Sequence, residues 1–213
     1  MHIKQQISEV LLQYPTLHYL ETNNSFNGEL FVSAGDSYDV SIEIDGYPKN
    51  FPVVYEVGER IPRKVHRHIY TDTGSCCLST RAKAQILLQT KITSLYLFIK
   101  DVVVPYLQNN SFYEINGKYN TEEYSHNRLG VVEAYRDILQ TNNDKNIGRI
   151  ILYHARGNKK LRLHDTCYCG SGLSFKQCNH GKHFECYKDF RKIEIATLQH
   201  DFVIFAELLG MKL

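Results

Sequence analysis

The sequence predicts an α+β fold with its helices segregated from an antiparallel sheet, and three observations predict it. A pattern of helical spacing comes first, three short strand-like runs follow, and helical spacing returns only after a long irregular stretch. Strands grouped together and helices grouped together, without strict alternation, point away from a parallel βαβ sheet. At 213 residues the chain suits one large domain or a domain with an appendage. Its 43% hydrophobic and 23% charged residues are ordinary globular usage, which excludes intrinsic disorder.

Each element has a local reason. Ile7, Val10, Leu11 and Tyr14 recur at helical spacing, and Pro15 ends the first helix at or near Gln13. Residues 28–34, 38–44 and 52–57 alternate or are β-branched, with turns supplied by Ala34-Gly35-Asp36-Ser37 and Asp45-Gly46, so an antiparallel meander is expected. Residues 61–84 have little periodicity and contain Pro62 and Gly74, which reads as a long surface loop of the kind that carries function. Helical spacing returns over 86–107 and again over 129–139, and 148–153 reads as a short apolar strand or the close of the domain. Over 190–209, Ile193, Leu198, Phe202, Phe205 and Leu209 fall on one helical face.

The first nine residues have no apolar core or small-residue cleavage site, and the most apolar stretch, 94–107, is interrupted by Lys100, Asp101 and Pro105. No signal peptide and no membrane span are expected. Six cysteines, with Cys76 and Cys77 adjacent, then fit a reducing compartment better than a disulfide framework, and the chain is expected to be cytoplasmic.

Charge is unevenly distributed. Residues 1–140 carry 13 Lys and Arg against 16 Asp and Glu, residues 141–183 carry 8 against 2, and residues 184–213 carry 4 against 5. The basic segment also holds Cys167, Cys169 and Cys178, so charge and ligand chemistry mark the same appended module. It contains no run of five like charges, which favours a solvated surface around a metal knuckle over a nucleic-acid contact.

Two sets of residues carry a resemblance to known families. Tyr47-Pro48-Lys49-Asn50-Phe51-Pro52-Val53-Val54-Tyr55 resembles the Tyr-Pro-x-x-x-Pro-x-Val-x-Phe segment of ubiquitin-conjugating enzymes. His66-Arg67-His68-Ile69, followed by Gly74-Ser75-Cys76-Cys77-Leu78-Ser79, is similar to that family's His-Pro-Asn-Ile tract and its Gly-x-x-Cys-Leu-Ser, which carries the catalytic cysteine. The resemblance covers about residues 1–140. It implies a UBC-like fold, with an N-terminal helix, an antiparallel meander, a catalytic loop and C-terminal helices, and it makes Cys77 the thioester-forming nucleophile. Thiol chemistry suits that task, because a thiolate is strongly nucleophilic and its thioester stays reactive toward amines. The alternative for Cys77 is a small buried hydrophobe beside Leu78. Cys76 stands where the family has an inward Ile or Val, and is expected to pack.

The chain departs from the family at Arg67-His68, which replace Pro-Asn, and the interval from His66 to Cys77 is one residue longer. The family's Asn orders the loop and supports the oxyanion. His68 stands in its place as a hydrogen-bond donor, an aid to proton transfer or a loop-structuring residue. His126 lies where bacterial members of the superfamily tend to show a histidine, and is either part of the site or a solvated helix cap.

Cys167-Tyr168-Cys169-Gly170-Ser171-Gly172, then Cys178-Asn179-His180, resembles the SEC-C zinc motif at the ends of many bacterial proteins. The spacing suits three thiolates on a tetrahedral zinc ion, with His180 as the fourth ligand, His183 in reserve, and a structural role for the closed site. The expected domains are a ubiquitin-conjugating-enzyme-like domain over 1–150 and a SEC-C-like zinc module with a terminal helix over 151–213.

Together the two resemblances imply a stand-alone conjugating protein of CBASS anti-phage systems. Such a protein captures the C-terminus of a cyclic-oligonucleotide synthase (CD-NTase) and conjugates it, priming its activity. No Gly-x-Gly-x-x-Gly nucleotide loop is present, so no activating domain is expected. The competing readings are a non-catalytic binding module of the same fold and a cysteine hydrolase using Cys77 with His68 or His126.

Overall fold

The computed structural model describes residues 2–121 and 124–210. The chain divides into two compact units, one of residues 1–79 and 87–123 and one of residues 80–86 and 124–213.

The first unit opens with α1 (Ile3–Gln13), capped by His2 in a reciprocal box with Gln5. A sheet of four antiparallel strands follows in sequential order: β1 (Leu17–Leu20), β2 (Ser25–Ser33), β3 (Asp36–Glu43) and β4 (Val53–Glu56). The meander is the expected one with an extra strand, β1, at its edge. Register places Phe26 opposite Ile42, Leu30 opposite Tyr38, and Ile42 opposite Val54, so one face of each strand is apolar and buried. Gly28 runs at φ +136°, and a Cβ there would lie 2.4 Å from the Thr16 carbonyl oxygen, so only glycine lets β1 approach.

The helix expected over 86–107 is two elements. α2 (Arg81–Thr90) begins inside the expected loop and stops where Lys91 and Ile92 both donate to the Leu87 carbonyl. Ser94 then caps α3 (Leu95–Phe98), which runs through a π turn (Ile99–Val103) into α4 (Val104–Asn116). Proline lacks the N–H that a continuous helix needs and its ring crowds the carbonyl four residues back, so the widened turn sits directly ahead of Pro105. Phe98, Ile99, Val103 and Leu107 fill the core against the sheet. Gln6 ties α1 in, accepting from the Leu95 N–H and the Tyr47 hydroxyl.

The second unit is helical: α5 (Asn127–Leu139), α6 (Asp144–Ala155), α7 (Lys182–Phe190) and α8 (Ile195–Leu209). Residues 148–153 are the middle of α6, which corrects the strand reading. Asn143 caps this helix, and Ile147, Ile150 and Ile151 form its buried stripe, a run whose period is helical once its flanks are included. The compact units do not divide at residue 150, because Leu139, Ile147 and Ile151 share a core with Phe175, Tyr187, Phe190 and Phe205. Among the described residues, no helix is long and apolar enough to cross a membrane.

Candidate functional site

In the first unit, the irregular segment after β4 folds back as a tight turn. Isolated bridges pair Tyr55 with Ser75 and Ile69 with Cys76. Tyr70 donates its N–H to Ser75, Gly74 donates to Tyr70, Cys76 donates to Val54 at 2.7 Å and Cys77 donates to His68 at 2.7 Å. Gly74 closes the turn at φ +77°, a left-handed conformation that glycine adopts without strain.

This register separates two adjacent thiols. Cys76 turns into the core at 7% exposure, where burial pushes its thiol up to about 12 despite stabilising contacts from Tyr106 and the Glu56 backbone. It packs as expected of an inward residue. Cys77 is partly exposed, and its Sγ lies 3.3 Å from the Tyr70 hydroxyl, to which the thiol donates. Burial, then the neighbouring Cys77 sulfur, hold the Tyr70 phenol above its ordinary range, so it keeps its proton at any physiological pH.

The substituted pair Arg67-His68 is built into the unit. Arg67 is 7% exposed, donates to Asn110 Oδ1 at 3.0 Å and lies over the Tyr113 ring at 4.4 Å. His68 takes a left-handed conformation at φ +53° and is equally buried, its ring edge-on to Tyr119 at 5.3 Å. Its carbonyl accepts from both Cys77 N–H and the Tyr106 hydroxyl, so His68 orders the turn through its backbone. His126 belongs to the second unit, at the N-cap position of α5, without a capping bond from its side chain. A cavity of about 500 Å³ opens beside the turn, lined by Glu43, Tyr55, Glu56, Glu59, Arg63 and Gly74 among others.

In the second unit, Cys167, Cys169, Cys178 and His183 bring their ligand atoms within 4.8 Å of one another, a cluster able to hold a metal ion. A small hairpin makes it. Cys167 donates its N–H to Leu173 and Phe175 donates to Asp165, while Gly170 and Gly172 take the positive φ angles of the turn between them. Cys178 follows, and His183 stands on the first turn of α7 with Nδ1 3.4 Å from Cys167 Sγ and 3.3 Å from Cys178 Sγ. His183 Nε2 lies 3.3 Å from the Gln140 carbonyl, an oxygen that can only accept, so the tautomer with its proton on Nε2 satisfies this contact and presents Nδ1 to the sulfurs as a ligand atom.

The fourth member of the cluster is therefore His183 and not His180. Asn179 and His180 both take left-handed conformations, which turn the His180 side chain out into solvent before α7 begins. Burial pushes the Cys167 thiol up to about 12. Cys169 is also penalised by burial, yet hydrogen bonds from Ser171, Cys178 and Cys167 bring it down to about 6. Cys186 stands outside the cluster.

Sequence reasoning missed Tyr70. Its place beside Cys77 comes from the 70–75 turn, and a tyrosine seven residues before a cysteine has no signature of its own. No family model matches this chain, and no curated protein or solved structure is significantly similar to it.

Proposed function

We propose that the chain is a ubiquitin-conjugating-enzyme-like acyl carrier, in which Cys77 accepts the C-terminus of a partner protein and passes it on. The observation that carries this reading is the division between two adjacent thiols, one sealed in the core and one partly exposed at the end of a backbone-pinned turn. The order of helix, meander, turn and helices in the first unit supports it. The partner is a cyclic-oligonucleotide synthase of the CBASS type, whose conjugation primes anti-phage signalling.

The chemistry is acyl transfer. The partner's carboxyl terminus arrives activated, as an acyl adenylate or a thioester formed by a separate enzyme. The Cys77 thiol loses its proton to solvent, and the thiolate attacks the carbonyl carbon. A C–S bond forms, and the bond to the leaving adenylate or thiol breaks. An amine then attacks the thioester carbon, the C–N bond forms, the thiolate departs, and the amine's proton passes to water. An extended tail can be held beside a thiol by backbone hydrogen bonds and a few side-chain pockets, without a large interface.

The same proposal assigns zinc to the Cys167, Cys169, Cys178 and His183 cluster. Three thiolates and an imidazole are a zinc donor set, and four protein ligands leave no open coordination position, which makes the role structural. The test of the carrier is a thiol-labile conjugate that Cys77→Ser abolishes or converts to an oxyester, and that Cys76→Ser leaves intact.

A further inference from the structure

We infer that the hydroxyl of Tyr70 is the donor that stabilises the thiolate of Cys77. The inference rests on the reading of Cys77 as the acyl-accepting thiol, and it adds a residue that the family resemblance does not supply. Three observations carry it. The Tyr70 oxygen is 3.3 Å from Sγ. The turn fixes the backbone from which the Tyr70 side chain reaches Cys77, because the Tyr70 N–H bonds Ser75, its carbonyl accepts from Gly74, and the adjoining Ile69 is bridged to Cys76. The side chain that the resemblance would put in a donor's role, His68, is buried against Tyr119.

In the thiol state the S–H donates to the phenol oxygen. When the S–H proton leaves to water, the Tyr70 O–H rotates about its C–O bond and donates to the sulfur, keeping its own proton throughout. The same hydroxyl then stands beside the carbon that Cys77 attacks, where negative charge develops on the carbonyl oxygen.

Other groups near the pair act differently from this donor. Asp72, in the same turn, opposes any added negative charge there. Tyr106, from α4, and the buried Cys76 are both held neutral by burial. The Arg63 guanidinium packs against Gly74 of the turn and favours an anion only through space, an effect that salt weakens. A hydrogen bond to a thiolate is short-ranged and survives salt.

The experiment measures the rate of iodoacetamide labelling at Cys77 against pH, resolved by peptide mapping, in the full chain and in Tyr70→Phe. The phenyl ring keeps the packing, and thermal melting checks that the variant is folded. Loss of the donor should move the midpoint of the profile up by about one pH unit, leaving about tenfold less thiolate at neutral pH. The more basic thiolate is about threefold more nucleophilic, so the observed rate at pH 7 should fall by roughly threefold. The shift should persist in 1 M salt. Site-specific 3-fluorotyrosine at position 70 is a stronger donor and should move the midpoint down, which keeps the test open if Tyr70→Phe folds poorly. A midpoint unmoved in both variants overturns the inference. The measurement needs no partner protein, so its failure is separable from failure of the carrier reading: conjugation at Cys77 with an unmoved midpoint removes Tyr70 alone, whereas a moved midpoint with no conjugate removes the carrier and keeps the pair.

Discussion

Replacing His183 by alanine should abolish metal binding by the second unit, while replacing His180 should not. The geometry fixes the expectation. With Zn–S near ~2.3 Å and Zn–N near ~2.0 Å, a tetrahedral site separates sulfur from nitrogen by about 3.5 Å and sulfur from sulfur by about 3.8 Å. The cluster has Nδ1 at 3.4 and 3.3 Å from two sulfurs and one sulfur pair at 3.4 Å, so a small outward adjustment completes the tetrahedron. His183→Ala removes a ligand and also the bond to the Gln140 carbonyl. Loss of a partner that only orients a ligand already lowers affinity by about 10–100-fold, so loss of the ligand itself should lower it by at least about 100-fold. A hundredfold loss of binding to the folded state removes about 2.7 kcal/mol of stabilisation at metal concentrations well above Kd. In a unit of under 100 residues that lowers the melting transition by roughly 10–20 °C. A competitive chelator titration and a melt, each run on both variants, read the two quantities. Metal retained in His183→Ala and lost in His180→Ala would refute the assignment.

Two further predictions concern buried polar groups, one in each unit. Asp201 is buried, and burial raises its carboxyl above the ordinary 3.8 even though the Tyr135 hydroxyl, His200 and Arg81 act in the other direction. A folded pKa above the unfolded one means that its contribution is fully present below pH 3.8 and is lost as pH rises through the folded value. Asp201→Asn should therefore raise stability at pH 7 and leave it little changed at pH 3, as read by urea unfolding at both. Arg67→Ala should destabilise the first unit by about 2–4 kcal/mol, since it deletes hydrogen bonds from a buried cation to Asn110 and the stacking on Tyr113. A change under 0.5 kcal/mol in urea midpoint analysis would show that Arg67 is not structural.

Much of the architecture was legible because period and punctuation agree. Leu30 and Val32, then Tyr38, Val40 and Ile42, alternate as a half-buried antiparallel pair must, and Gly35 turns the chain between them. β1 was not legible, since four residues between a proline and a short turn are too few for a period, and its pairing depends on Gly28 opposite Leu17. The 148–153 run misled because a continuous apolar stretch fits either element until Asn143 is seen as the cap. At the metal cluster the three cysteines were set by spacing alone. The histidine was not, because its choice turns on two left-handed residues, Asn179 and His180, that rotate one imidazole outward and deliver the other on α7. At the thiol turn, sequence separated Cys77 from Cys76 by likeness, and the backbone bonds to Val54 and His68 give that separation a physical cause.

The most direct measurement of the central claim is the chemical state of Cys77 in protein isolated from cells without reductant. Peptide mapping should find on that sulfur the C-terminal peptide of a cyclic-oligonucleotide synthase, joined by a bond that hydroxylamine cleaves. The corresponding band on a non-reducing gel should vanish in Cys77→Ala, vanish when the last few residues of the synthase are deleted, and remain in Cys76→Ser. A band that survives both Cys77→Ala and the deletion, or a Cys77 that carries no acyl group while the synthase is present, would contradict the carrier mechanism.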